Sequence, residues 1–548
     1  MNKLITAAVA ATVTIAGAAM AQEKPLDAKA SNPVTLGWMQ GFPPPPDKTI
    51  RYTDPDFFAF PKLRWTVCNF RQLMPNVAVP NAAGSVSTLP ADPDAGIDAV
   101  EFNVLNSDEV MTFDAAFNAN YTDGLLILHH GRIVYERYDG CLDENTLHGA
   151  MSVTKSITGL MAEVLVAEGR LDETALMADI IPELEGSAFA DATVAQVLEM
   201  TTALDYSEDY SDPDAEVWTY SQAGSTLPKP EGYDGPRSYF DYLATVQKNG
   251  DKHGEAFGYK TVNADAAGWL VARTAGKSAA QYLSDRIWSR IGTEREAFYT
   301  VDSIGTPFSG GGFNATLRDM GRLGQLILQN GEWNGEQVIP AAAIERIRQG
   351  GNPAAFAKAG YDLLPDWSYS GLWWVSHNDH GAFAARGVHG QTIWVDPTAD
   401  MVIVRFASNP VAGNAASDPT SLPAYQAVAE YLMEQDATPQ LAGREWLIED
   451  IAGKGVIDRS PASLQFLPDG SLAGNTTCNR LIGTYEQTEE GLSLNLTGTT
   501  MMACPPAMAN QEQHLTQLLP KVVSAAFDEN ATLTLTTSDG ETIIARRR

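Results

Sequence analysis

Residues 148–172, HGAMSVTKSITGLMAEVLVAEGRLD, constrain the fold of this chain more than any other stretch. Ile157, Leu160, Met161, Val164 and Leu165 recur at three- and four-residue spacing, which predicts a helix with a buried apolar face. Ser152 and Lys155 stand at its start, three positions apart. On a helix such positions are neighbours, with Cβ atoms about 5–6 Å apart. A serine hydroxyl is a weak nucleophile until a base takes its proton. A lysine serves as that base when burial or nearby positive charge lowers its pKa. Chance places about one or two S-x-x-K spacings in a chain this long, so the motif alone is weak. This chain has one, and it opens a strongly apolar helix.

The rest of the chain sets the frame. Its 548 residues are enough for two or three domains. With 37 basic and 68 acidic residues the net charge is −31, which disfavours nucleic acid and anionic membrane surfaces as partners. Lys3, the apolar run Leu4–Ala18 and the small-residue site Ala19-Met20-Ala21 read as an export signal over 1–21. No integral membrane association is expected after its removal, and the mature protein is expected to be periplasmic or secreted. Four cysteines, Cys68, Cys141, Cys478 and Cys504, suit an oxidising compartment and allow three pairings. Cys478 with Cys504 is the preferred pair, because both lie in one small C-terminal unit; closing that loop stabilises by about 3.5 kcal/mol on the chain-entropy model.

Residues 22–97, with the proline tract GFPPPP, read as an arm packed on the main domain. GLLILHHGRIVYERY (124–138) reads as two strands joined at His130-Gly131, and TIWVDPTADMVIVRFA (393–408) as two more. TVAQVLEMTTAL, NADAAGWLVARTAG and LRDMGRLGQLILQNG read as helices. The polar segment 205–224 reads as a long loop of the kind that often forms lids. This order predicts an α+β main domain over 98–436. A boundary at 436–443 precedes a unit of short strands and one helix over 440–546.

Two further elements bear on chemistry. FGYKTVNADAAGWL sets Tyr259 just before a helix, where a phenol near an ammonium can shuttle protons. In ARGVHGQTIWVDP, Gly387 permits close backbone approach, so an N–H there can complete an oxyanion hole. The plainer alternatives are a packing tyrosine and a glycine bulge. H-E-x-x-H and G-x-S-x-G motifs do not occur, so neither a metalloprotease nor an α/β-hydrolase elbow is indicated.

Taken in order, SVTK, YKT and GVHGQ resemble the serine β-lactamase and penicillin-binding-protein-like hydrolases. The likeness is to the class C-like branch that includes family VIII esterases and 6-aminohexanoate-dimer hydrolases. It implies a β-lactamase-like fold, an antiparallel sheet flanked by helices plus an all-α region. It further implies Ser152 as acylated nucleophile, Lys155 as its proton partner, Tyr259 as second general acid/base, and the N–H groups of Ser152 and Val388 as oxyanion hole. Tyr210, Trp374, Gly387, His389 and Gln391 would contact substrate, a small ester or amide, and neither metal nor cofactor is implied. Two departures stand out. Ala385-Arg386-Gly387 replaces the usual Lys-Thr-Gly, and Thr261 replaces the usual Asn after the tyrosine. Both fit an esterase or linear-amide hydrolase better than a β-lactamase or D-alanyl peptidase. GREWLIEDI, GNTTCNRLIGTY and TGTTMMACPP resemble the META, or HslJ-like, domain of envelope proteins, whose partner here is unknown. A non-catalytic envelope binding or stress protein is the alternative of another class.

Overall fold

The computed structural model describes residues 25–547 apart from 85, 210–211, 213, 438–440, 458–461, 468, 489–490 and 529–530. The expected export signal and Tyr210 therefore lie outside the described residues.

Alternating and apolar runs build a seven-stranded antiparallel sheet: β1 (Thr122–His129), β2 (Arg132–Tyr138), β3 (Ser368–Ser370), β4 (Trp373–Val375), β5 (Phe383–Gly387), β6 (Gln391–Asp396) and β7 (Met401–Ala407). Their spatial order is β3-β4-β5-β6-β7-β1-β2. The N-terminal hairpin thus closes onto the last strand, with Ile127 opposite Ile403. β1, β5, β6 and β7 are buried along their full length, as strands covered on both faces must be.

The apolar stripe that opened the sequence becomes α1, Val153–Ala167, shorter than 148–172. His148–Gly149 instead form a two-residue strand against Asn314–Ala315. Met151, at φ 46°, turns the chain from that strand into the helix, and Gly169, at φ 68°, follows its end. α2 (Thr261–Ala275) packs on α1, α3 (Leu317–Leu328) covers β1, β6 and β7, and α4 (Asp418–Ala437) closes the main unit. The 205–224 segment departs from expectation. Its second half is a helix, Glu216–Gly224, because Val217, Tyr220 and Ala223 bury one face.

Residues 25–97 wrap this body. Arg64 is fully buried and pairs with the equally buried Asp123 at 2.9 Å, and Val67 O accepts from Gly149 N at 2.8 Å. Cys68–Cys141 ties the arm down covalently.

The C-terminal unit has its own core, with Trp446, Leu464, Phe466, Leu515 and Ile543 among its residues. Eight antiparallel strands follow, β8 (Arg444–Ile451), β9 (Ala462–Phe466), β10 (Ser471–Thr476), β11 (Arg480–Thr488), β12 (Gly491–Thr499), β13 (Val522–Phe527), β14 (Leu533–Thr537) and β15 (Thr542–Arg547), in the order β12-β11-β10-β9-β8-β15-β14-β13. The outer strands β12 and β13 approach each other, so the sheet curls toward a barrel with α5, Pro506–Leu518, against it. Cys478 and Cys504 are joined. Among the described residues no helix is long and apolar enough to cross a membrane.

The seating of α1 depends on one small residue. A Cβ at Gly159 would fall 1.8 Å from Gly371 O on the β3–β4 turn. Gly159→Ala is therefore expected to force α1 off the sheet and destabilise by about 1–3 kcal/mol, the usual range for overpacking. Urea unfolding monitored by tryptophan fluorescence measures it, and an unchanged midpoint would show the contact to be slack.

Candidate active site

Three elements of different origin meet in one cavity of about 630 Å³. Ser152 enters from the N-terminal end of α1, Tyr259 from the segment before α2, and Arg386, Gly387 and Val388 from the end of β5. Lys155 Nζ stands 2.8 Å from Ser152 Oγ and donates to Gly310 O at 2.6 Å. Its ammonium also lies 5.1 Å from the centre of the Tyr259 ring. Lys155 is 1% exposed. Burial pushes its pKa down to about 8, against the opposing pull of the Glu208 and Asp265 carboxylates.

Gly310 is held in place from behind. Asp265 on α2 accepts from Ser309 N at 2.9 Å and Gly310 N at 3.2 Å, and the Tyr220 hydroxyl donates to its other oxygen. Burial pushes the Asp265 pKa up to about 7. This brace is a further functional element, and its only trace in the sequence is the glycine run SGGGFNAT.

Ser152 N–H sits at the positive end of a 15-residue helix. A Cβ on Gly387 would stand 2.9 Å from both Ser152 N and Ala150 O, so only glycine lets β5 run this close to Ser152. Ser152 and Val388 both line this cavity, and two backbone N–H groups are what an oxyanion hole requires.

Trp374 also lines the cavity, 5.5 Å from the Tyr259 ring and 5.4 Å from Tyr361. His389 and Gln391 do not line it. His389, at φ 64°, is buried against Phe58, with Nδ1 2.7 Å from Asn409 O. Gln391 is fully buried and spends its amide on the backbone of Val388 and Ala407. Both are packed within the turn that follows Gly387 and carries Val388. Arg386 does face the cavity, but it pairs with Asp418 at the start of α4 and lies over Trp374. Sequence reasoning passed over Glu208, Tyr361 and Asp418. Glu208 Oε2 accepts from Thr261 N at 2.7 Å at the cavity wall.

Residues 117–423 match the Beta-lactamase family model. The chain belongs to the β-lactamase family. It is a serine hydrolase, and residues 439–548 match the META domain. A 6-aminohexanoate-dimer hydrolase of Paenarthrobacter ureafaciens is 32% identical over 351 residues, 64% of this chain and 86% of that protein. A solved structure described as a 6-aminohexanoate-dimer hydrolase of Bacillus anthracis superposes with TM-score 0.64 at 30% identity, covering 70% of this chain and 97% of that one. These relatives agree with the resemblance read from SVTK, YKT and GVHGQ.

The Arg386–Asp418 pair has side chains 5% and 8% exposed. Arg386→Met in this β-lactamase-family enzyme would strand a buried carboxylate and is expected to cost about 3 kcal/mol. Arg386→Met with Asp418→Leu should recover most of that loss in urea denaturation. Equal, additive losses would mean the two side chains do not act as a pair.

Proposed function

We propose that this enzyme hydrolyses small esters or linear amides through an acyl-Ser152 intermediate, in the periplasm or outside the cell. The observation that carries the reading is the 2.8 Å contact between Ser152 Oγ and a lysine kept desolvated at the head of α1. As Ser152 Oγ bonds to the substrate carbonyl carbon, its proton passes to the neutral Lys155 amine, with Tyr259 as the second acid/base. The carbonyl oxygen gains negative charge facing the N–H groups of Ser152 and Val388. Losing one such donor typically costs about 2.7–4 kcal/mol. The proton then reaches the leaving alcohol or amine as the tetrahedral carbon collapses. Water attacks the acyl-enzyme by the same route and releases the acid. Two disulfides support export to an oxidising compartment.

The alanine at position 385, where the family pattern has lysine, and the engagement of Arg386 by Asp418 favour an acyl group that needs no free cation on β5. The names of the relatives point the same way, toward linear amides of ω-amino acids.

Purified protein should be labelled by a fluorophosphonate probe at Ser152 and turn over p-nitrophenyl esters or short ω-amino-acid amides faster than nitrocefin. Ser152→Ala should lower kcat by about 10⁴-fold or more, and Lys155→Ala by a comparable factor. Labelling that persists in Ser152→Ala would remove the assignment, and a dominant nitrocefin rate would make the enzyme a β-lactamase.

The pH profile gives an independent check. The base works only when neutral, and the Lys155 pKa is about 8. Hence kcat/KM should rise about tenfold per pH unit below 8 and level off above it. A flat profile between pH 6 and 9 would exclude a titrating lysine base.

A further inference from the structure

We propose that His129, His130 and Asp436 form a binding site for a divalent transition-metal ion of the zinc class, at the seam between the hydrolase unit and the META unit. None of the three lines the catalytic cavity. The site departs from the sequence reading, which implied no metal.

Consecutive strand residues normally point to opposite faces. Here β1 ends at His129, and His130 takes φ 50°, which brings the two rings to 4.0 Å between centres. Both Nε2 atoms meet the same oxygen from the last turn of α4. Asp436 Oδ2 lies 3.1 Å from His129 Nε2 and 2.6 Å from His130 Nε2. The three ligand atoms all lie within 4.8 Å of one another. Tetrahedral zinc with bonds of about 2.0–2.2 Å sets its ligand atoms about 3.3–3.6 Å apart. A small opening of the carboxylate therefore reaches that geometry.

Two further observations point to a ligand. His129 is 5% exposed, and its Nε2 meets the Asp436 oxygen at 3.1 Å without the alignment of a hydrogen bond. A metal ion between the three groups would replace that indirect contact with a directed bond. His130 Nδ1 bonds Asp400 Oδ2 at 2.7 Å, the outer carboxylate that commonly orients a metal-bound imidazole. Two imidazoles and one carboxylate suit zinc and its neighbours rather than calcium or magnesium. The other oxygen of Asp436 accepts from Arg547 Nη1 at 3.2 Å, on the final META strand β15. An ion held here would fasten β1, α4 and the META sheet at one point.

The test is a ZnCl₂ titration of the full-length protein by isothermal calorimetry at pH 7.5, after EDTA treatment and dialysis. One zinc per chain at micromolar or tighter affinity is expected, weakened at least tenfold by His129→Ala and by Asp436→Asn. Co²⁺ should give a visible absorption band that both variants lose. Wild-type rates of p-nitrophenyl ester hydrolysis identify the variants that remain folded. The proposal is overturned by wild-type zinc binding that a folded variant keeps, or by no binding in the wild type. In either case the three side chains are a metal-free ion-pair cluster.

Discussion

The active cavity depends on an amine that the fold refuses to hydrate. Lys155 sits beneath Ser152 on a helix whose residues from Val153 to Leu165 are all buried, and its accepting partners are one hydroxyl and one peptide carbonyl. Several contacts around α1 bear on that exclusion of water. α2 supplies Asp265 to fix the Gly310 carbonyl, the β3–β4 turn seats against Gly159, and β5 closes over the helix start at Gly387. The same carboxylates that organise the loop also favour a charged lysine, so the amine is balanced between burial and charge. A base poised near neutrality needs this kind of opposition, since burial alone would drive it further down.

Much of this was legible from residue order. The β1–β2 hairpin at His130-Gly131, the paired strands around 393–408 and the helices at 261 and 317 fall where periodicity and turn residues place them. So do Ser152, Lys155 and Tyr259, because a helix start and a pre-helix segment are local features. What escaped reading was set by contacts distant in sequence. Glu208, Tyr361 and Asp418 reach the cavity from loops and a helix start whose local composition carries no chemical signal. His389 and Gln391 share a motif with Gly387 and Val388, yet the left-handed φ at His389 turns them into the core. Helix 216–224 was hidden in a polar stretch because its few apolar residues meet aromatic partners from remote segments, such as Tyr220 against Tyr239.

The Arg386–Asp418 pair bears on what this cavity wall offers a ligand. A cation on the strand beside the nucleophile is available to substrate only when nothing in the protein claims it. Here the carboxylate at the head of α4 claims it, and Trp374 covers its face. The cavity wall therefore offers aromatic faces and an arginine already paired, with Glu208 and Asp362 also on it.

The family match begins at residue 117, yet part of the wall behind Ser152 comes from before it. Leu63, Val67 and Phe70 form a small core with Met151, the residue whose left-handed turn aims Ser152. Arg64 is the guanidinium that compensates Asp123 inside β1. The smallest chain able to fold this cleft is therefore longer than the span of the family model, and a version trimmed to those borders would lose the backing of Ser152.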